Sequence, residues 1–210
     1  VSFQNRVEGW IEHAAIDDKK IAVQDVFFIN GIEHTTIFFG PFVRYFCGHP
    51  MPRSWRVLNA APRAQDIFRV APNVLEISIL GGPLLAGDLE VFYRAARFPY
   101  KPGDTVELRG LKAQIRYLRE GKPHLVRFTF DKPLEDPSYL FLRFSQKGIE
   151  RFTPPAVGKS MRVPRPLPPK AKKTDSSGNE PVNPTGKNGG NIQALKTHRP
   201  KNDWLSADLK

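Results

Sequence analysis

Phe3, Val7, Trp10, Ile11, Ala14 and Ala15 recur at helical intervals, with Asn5, Arg6, Glu8, Glu12 and His13 between them. This spacing predicts an amphipathic helix over about 3–15, capped by Ser2. After the turn-like Asp17-Asp18-Lys19-Lys20, the run from Ile21 to Asn30 is apolar on both alternating faces except at Gln24 and Asp25. That pattern predicts a strand covered on both sides, in a sheet with helices against it. Phe38, Phe39, Phe42, Val43 and Phe46 form a second helical stripe, and Gly48 supplies a stop. Pro41 belongs in a first turn, where no backbone N–H is needed, so this helix is expected over about 40–47.

From residue 54 the period changes. SWRVLNA (54–60), QDIFRV (65–70), VLEISIL (74–80) and LEVFYR (89–94) read as short strands, as do TVELRG (105–110), LKAQIRYLR (111–119), HLVRFTF (124–130), YLFLRF (139–144) and IERF (149–152). Pro, Gly, Asn and Asp clusters separate them, and no repeat of fixed period is evident. The expected class is α+β: a short helix–strand–helix α/β segment at 1–60 leads into an antiparallel β-sandwich or small β-barrel at 61–163. Trp55 and Val57 share one face of their strand, which predicts a buried indole at the junction of the two parts.

Composition changes this picture mainly at the C-terminus. The chain has 210 residues and a formal charge of +11. Residues 1–158 hold 21 Lys and Arg against 17 Asp and Glu, a net +4, whereas 159–210 hold 11 against 4, a net +7. The basic stretch is rich in proline and has Trp204 as its only aromatic, so about 164–210 is expected to be a disordered tail. Its PRPLPP segment suits polyproline II, and the tail suits a tether or a weak polyanion contact. The single Cys47 rules out an intrachain disulfide or a zinc site built on a Cys pair. No window supplies a membrane span, because Asp25, Glu33, His34 and Arg44 interrupt the richest stretch. The Val1 start, without a leader, is expected of a piece of a longer precursor.

Candidate chemistry is sparse. Asn30, Glu33 and His34 follow the buried strand, at the end where α/β folds place ligands, and a Glu–His pair there has the groups for acid–base work. They lack a nucleophile elbow and a glycine-rich phosphate loop. Cys47 and His49 with His34 make only a weak metal pattern, so neither metal nor cofactor is assigned. The loop from Gly81 to Asp88 reads as a turn folded back onto the core, with a partner-binding tip as the alternative. Lys112 and Arg116, with Gln114, share one face of a strand, and Arg127 joins them from the next; by parity the aromatics fall on the opposite face, leaving no stacking platform.

The order of VFFIN, the apolar helix to Arg44, GHPMPRSWRVLNAAP, the strands before Gly81-Gly82, Phe92-Tyr93-Arg94, FDKPLEDPSYLFLRF and FTPPAVGKSMRVP resembles the C-terminal extramembrane region of uncharacterised bacterial multi-spanning membrane proteins. The resemblance covers about 21–163 and departs from the family at Asn30-Gly31-Ile32, where Asn-Ala-Pro is usual. It implies a membrane-associated parent chain and brings no catalytic residues. The expected function is therefore a non-enzymatic extramembrane domain that meets a partner, a ligand or the parent's membrane-embedded segment at the membrane surface. The alternatives are a basic β-barrel binding nucleic acid or another polyanion, and, third, an enzyme centred on Glu33 and His34. Asn30, Glu33, His34, Lys112, Arg116 and Arg127 are the candidate contacts.

Overall fold

A computed structural model describes residues 14–31, 34–84, 98–145 and 147–166, with backbone only for 34–39. The expected N-terminal helix, the 89–94 strand, Glu33, most of the 81–88 loop and the tail beyond 166 lie outside these residues. The elements are β1 (Asp25–Phe28), α1 (His34–Phe46), β2 (Ser54–Val57), β3 (Gln65–Ala71), β4 (Val74–Ile79), β5 (Thr105–Leu108), β6 (Leu111–Arg119), β7 (Lys122–Phe130), β8 (Tyr139–Ser145), β9 (Gly148–Arg151) and β10 (Ser160–Val163). A short 3-10 turn at Ile21–Val23 precedes β1. The class is α+β with a β-rich core, as the alternation pattern predicts.

Two sheets form. One has four strands in the order β2-β1-β8-β9, with β1 parallel to both β2 and β8 and β9 antiparallel to β8. The other has six antiparallel strands in the order β10-β3-β4-β7-β6-β5. The expected boundary at residue 60 falls between β2 and β3, yet β1 on one side of it pairs with β8 on the other. All four residues of β1 are buried, because this strand is central and covered on both faces. Phe27 and Ile29 point between the sheets, where Phe27 meets Phe130, Tyr139 and Phe141 at ring-centroid distances of 5.0, 5.5 and 5.4 Å. Val26 and Phe28 point the other way, into a second core with Leu140, Leu142, Phe144 and Ile149, against which Val43 of α1 and Trp55 pack.

Helix α1 differs from its expected span. It begins at His34, so Pro41 lies in its interior rather than in its first turn. A proline there removes one i to i−4 hydrogen bond and costs roughly 3 kcal/mol, so packing on the sheet, through Gly40, Val43 and Arg44, must outweigh a strong local preference. Its end is as expected: Gly48 has φ 75° and donates to the Tyr45 carbonyl (3.1 Å), while His49 donates to that of Arg44 (2.9 Å), a Schellman motif. The indole of Trp55 lies between Gly40 and Phe28, half-buried rather than enclosed. Strand β10 was not expected, being only four residues long; it adds to β3 as an edge strand and buries Val163.

The β6–β7 hairpin is closed by Glu120 and Gly121, both at positive φ (53° and 72°), the two-residue turn whose twist suits antiparallel strands. Within β6 the register shifts after Ile115, so that Tyr117, not Arg116, is opposite Leu125. This bulge overturns the parity expectation. Tyr117 shares the outer face with Leu125 and Arg127, and Phe68 joins the same row through Glu76.

Candidate functional site

Among the described residues the predicted contacts fall in two places, Lys112, Arg116 and Arg127 on the six-stranded sheet and Asn30 just past β1. Asn30 is fully buried: its Nδ2 donates to the Phe144 carbonyl (3.3 Å) and its Oδ1 accepts from the Phe144 N–H (2.8 Å), so the amide extends the β1–β8 ladder. Nearby, Gln65 Nε2 donates to the Ile29 carbonyl (3.0 Å) and its Oε1 accepts from Asn59 Nδ2 (2.5 Å). These amides stitch the end of the parallel strands where a ligand was expected, and Asn30 is structural. His34 opens α1. His49, a weak metal candidate, instead faces Asp18, with Nδ1 2.8 Å from Oδ2, and Cys47 is exposed.

On the outer face of the six-stranded sheet the cations are largely spent on carboxylates. Lys112 Nζ donates to Glu107 at 2.8 Å, and Arg127 donates twice to Glu76 Oε1 at 2.8 and 2.7 Å. Arg162 grips Asp66 with two bonds of 2.8 and 3.0 Å, which holds that carboxyl below its usual range. Arg116 donates to Gln114 at 3.2 Å and is exposed.

The opposite layer is different. Phe42, Tyr45 and Phe46, spaced i, i+3 and i+4 along the last turns of α1, are 59%, 60% and 81% exposed. The sequence reading placed Phe42, Val43 and Phe46 in one stripe; only Val43 of these packs inward. The reason lies in what occupies the inner face. Gly40 admits the Trp55 ring, and Arg44, almost wholly buried, pairs with Asp18 and donates to the Pro50 carbonyl. The Arg44 hydrogen bond, then that of His49, hold Asp18 below the usual carboxylate range. The turn so fixed carries exposed Lys19 and Lys20, followed by exposed Val23. Three aromatics and two lysines therefore belong to one end of the helical layer.

At that same end β1, β2 and β8 begin in register, with Asp25 opposite both Ser54 and Tyr139. A cleft of about 230 Å³ opens there between the two sheets. From the four-stranded sheet it takes Asp25, Arg53, Ser54, Arg56 and Tyr139; the β5–β6 turn supplies Arg109 and Gly110, and the segment after β7 supplies Asp131 and Lys132. Four cations thus face two carboxylates. Asp25 is committed to Arg53, which forks onto both its oxygens, and to Ser54 Oγ at 2.8 Å. Burial pushes this carboxyl up, but the bonds from Arg53 and Ser54 and the charges of Arg53 and Arg56 outweigh it, so the net displacement is downward. Burial pushes the Tyr139 phenol up, which keeps it neutral and able to donate. Sequence reasoning missed this cleft, because its residues come from five separate stretches and Arg56 reads as a solvent-facing strand position.

Against known families, curated proteins and solved structures, the chain matches no family model, no curated protein and no solved structure.

Proposed function

We propose that the chain is a non-enzymatic extramembrane domain of a bacterial membrane protein, held with the C-terminal end of α1 against the bilayer. The observation that carries this reading is the exposed Phe42, Tyr45 and Phe46 ridge beside Lys19 and Lys20. Aromatic rings favour the membrane–water boundary, and lysines favour anionic headgroups. Partial immersion of three rings contributes about 1 to 2 kcal/mol each, so the ridge alone corresponds to reversible association near the millimolar range. That strength suits a domain kept near the surface by an anchor elsewhere in its parent. No described helix is itself long and apolar enough to cross a membrane.

Sedimentation with vesicles tests the reading. The chain should pellet with anionic vesicles, and Phe42→Ser/Tyr45→Ser/Phe46→Ser should remain in the supernatant while keeping its unfolding midpoint. Equal pelleting of the two proteins would refute it.

Nucleic-acid binding is the second reading, and one observation favours it: Tyr117, 55% exposed, and Phe68, 39% exposed, lie on the same outer face as Arg127. It ranks lower because Lys112, Arg127 and Arg162 each already bind a carboxylate. Counterion release, the main driving force for such binding, requires cations available to phosphates.

A further inference from the structure

We infer that the cleft between the two sheets is a binding site for a phosphate group. The inference rests on Arg56 and stands independently of the membrane reading. Trp55 and Val57 of β2 face the helical core, so Arg56 is turned inward, opposite Phe27, with its guanidinium carbon 5.9 Å from that ring. Its Nη1 is buried and has no hydrogen-bond partner among the described residues. An orphaned buried guanidinium nitrogen is costly and calls for a missing partner. The cleft carboxylate on the neighbouring strand, Asp25, bonds to Arg53 and Ser54 instead.

The chemistry of the missing partner follows from what surrounds it. Arg56 approaches from the edge strand of one sheet, and Arg109 and Lys132 from the loops of the other. Lys132 also contacts Ser138 Oγ at 3.1 Å and Asp136 at 3.4 Å, and Asp131 is the one carboxylate of the lining not bound to Arg53. Cations converging from separate directions match a group with several charged oxygens, and guanidinium forks suit phosphate geometry. The neutral Tyr139 hydroxyl adds a donor. A volume of about 230 Å³ admits a phosphate with a small organic remainder. Two sources share this chemistry: a soluble phosphomonoester and the headgroup of a phosphomonoester lipid.

Calorimetric titration of the intact chain with inorganic phosphate and with glycerol phosphate, at low ionic strength in chloride, is the direct test. Saturable binding is expected, weakened at least tenfold in Arg56→Gln and unchanged in Arg116→Gln on the remote face. Arg109→Gln, in an exposed turn, should weaken it too and keeps the test open if Arg56→Gln unfolds. Vesicles of phosphatidic acid and of phosphatidylglycerol distinguish the sources. Preference for the former, competed by free phosphate, identifies a lipid headgroup; binding of the soluble esters without such preference identifies a soluble ligand. Undiminished binding of the ridge variant to phosphatidylglycerol vesicles, with phosphate titration intact, would sink the membrane reading alone. No saturation by wild type with any phosphate, or equal binding by Arg56→Gln and Arg109→Gln, would overturn the inference.

Discussion

Replacing Gly40 by alanine sets two known effects against each other at the seam between α1 and the four-stranded sheet. An interior helical glycine costs about 1 kcal/mol relative to alanine, so in isolation the change stabilises. Here, however, the new Cβ would lie 2.5 Å from Cζ2 of Trp55, 3.1 Å from Cε2 and 3.3 Å from Cη2. The indole cannot simply retreat, because the tilted Phe28 ring packs against it at a centroid distance of 4.8 Å. Overpacking of this kind costs about 1 to 3 kcal/mol, which outweighs the helical gain and leaves Gly40→Ala destabilising by up to roughly 2 kcal/mol. The sign should reverse once the ring is gone: in a Trp55→Ala background the same substitution should stabilise by about 1 kcal/mol. Urea unfolding of the four proteins of the cycle, followed by far-ultraviolet circular dichroism, measures the coupling. Additivity within about 0.5 kcal/mol, with Gly40→Ala stabilising in both backgrounds, would refute the packing described for the seam.

Asn30→Ala should cost roughly 2 to 4 kcal/mol, since it strands the buried N–H and C=O of Phe144, whereas Arg116→Ala on the exposed face should change stability by less than about 0.5 kcal/mol; chemical denaturation compares them. Glu135→Ala removes the carboxylate that grips the buried Arg69 guanidinium, and should cost about 2 to 3 kcal/mol, less than for a wholly buried pair because Glu135 is 67% exposed. Asp18 and Asp25 both have folded-state pKa values below the ordinary Asp value of about 4. Their contribution is therefore complete above about pH 4 and is lost as the pH falls through the depressed values. Urea midpoints should drop below that pH, and Asp18→Asn/Asp25→Asn should flatten the drop; an unchanged slope would contradict the pairing.

Elements whose signals are local were legible in the chain. The 111–119 strand was read with the bounds observed for β6, and the strand expected at 124–130 falls within β7, which begins two residues earlier, at Lys122. The all-apolar VFF of β1 announced a strand covered twice. The partner of β1 was not legible, because β8 lies more than a hundred residues away and no local pattern encodes parallel pairing. Two rules misled. Proline chemistry placed Pro41 in a first turn, where tertiary packing put it inside the helix, and parity counting put Tyr117 on the wrong face because a single-residue bulge is silent in an alternation pattern. Of the expected stripe of α1, Phe42 and Phe46 face outward and Val43 packs inward, an arrangement that depends on Gly40 receiving Trp55 and on Arg44 reaching Asp18. Of the site residues, Asn30 was noticed for its position and proved to be a backbone splice, while Arg56 gave no signal.

Cys47, the one cysteine of the chain, is exposed and directly follows Phe46 at the tip of the aromatic ridge. An environment-sensitive fluorophore attached there reports whether that ridge enters a bilayer. With anionic vesicles at millimolar lipid, its emission should rise and shift to the blue. The same fluorophore on Ser160→Cys in a Cys47→Ser background, on the outer strand β10, should keep the spectrum of an aqueous site. An aqueous spectrum at Cys47 under all lipid conditions, or equal shifts at both positions, would contradict a membrane-facing ridge.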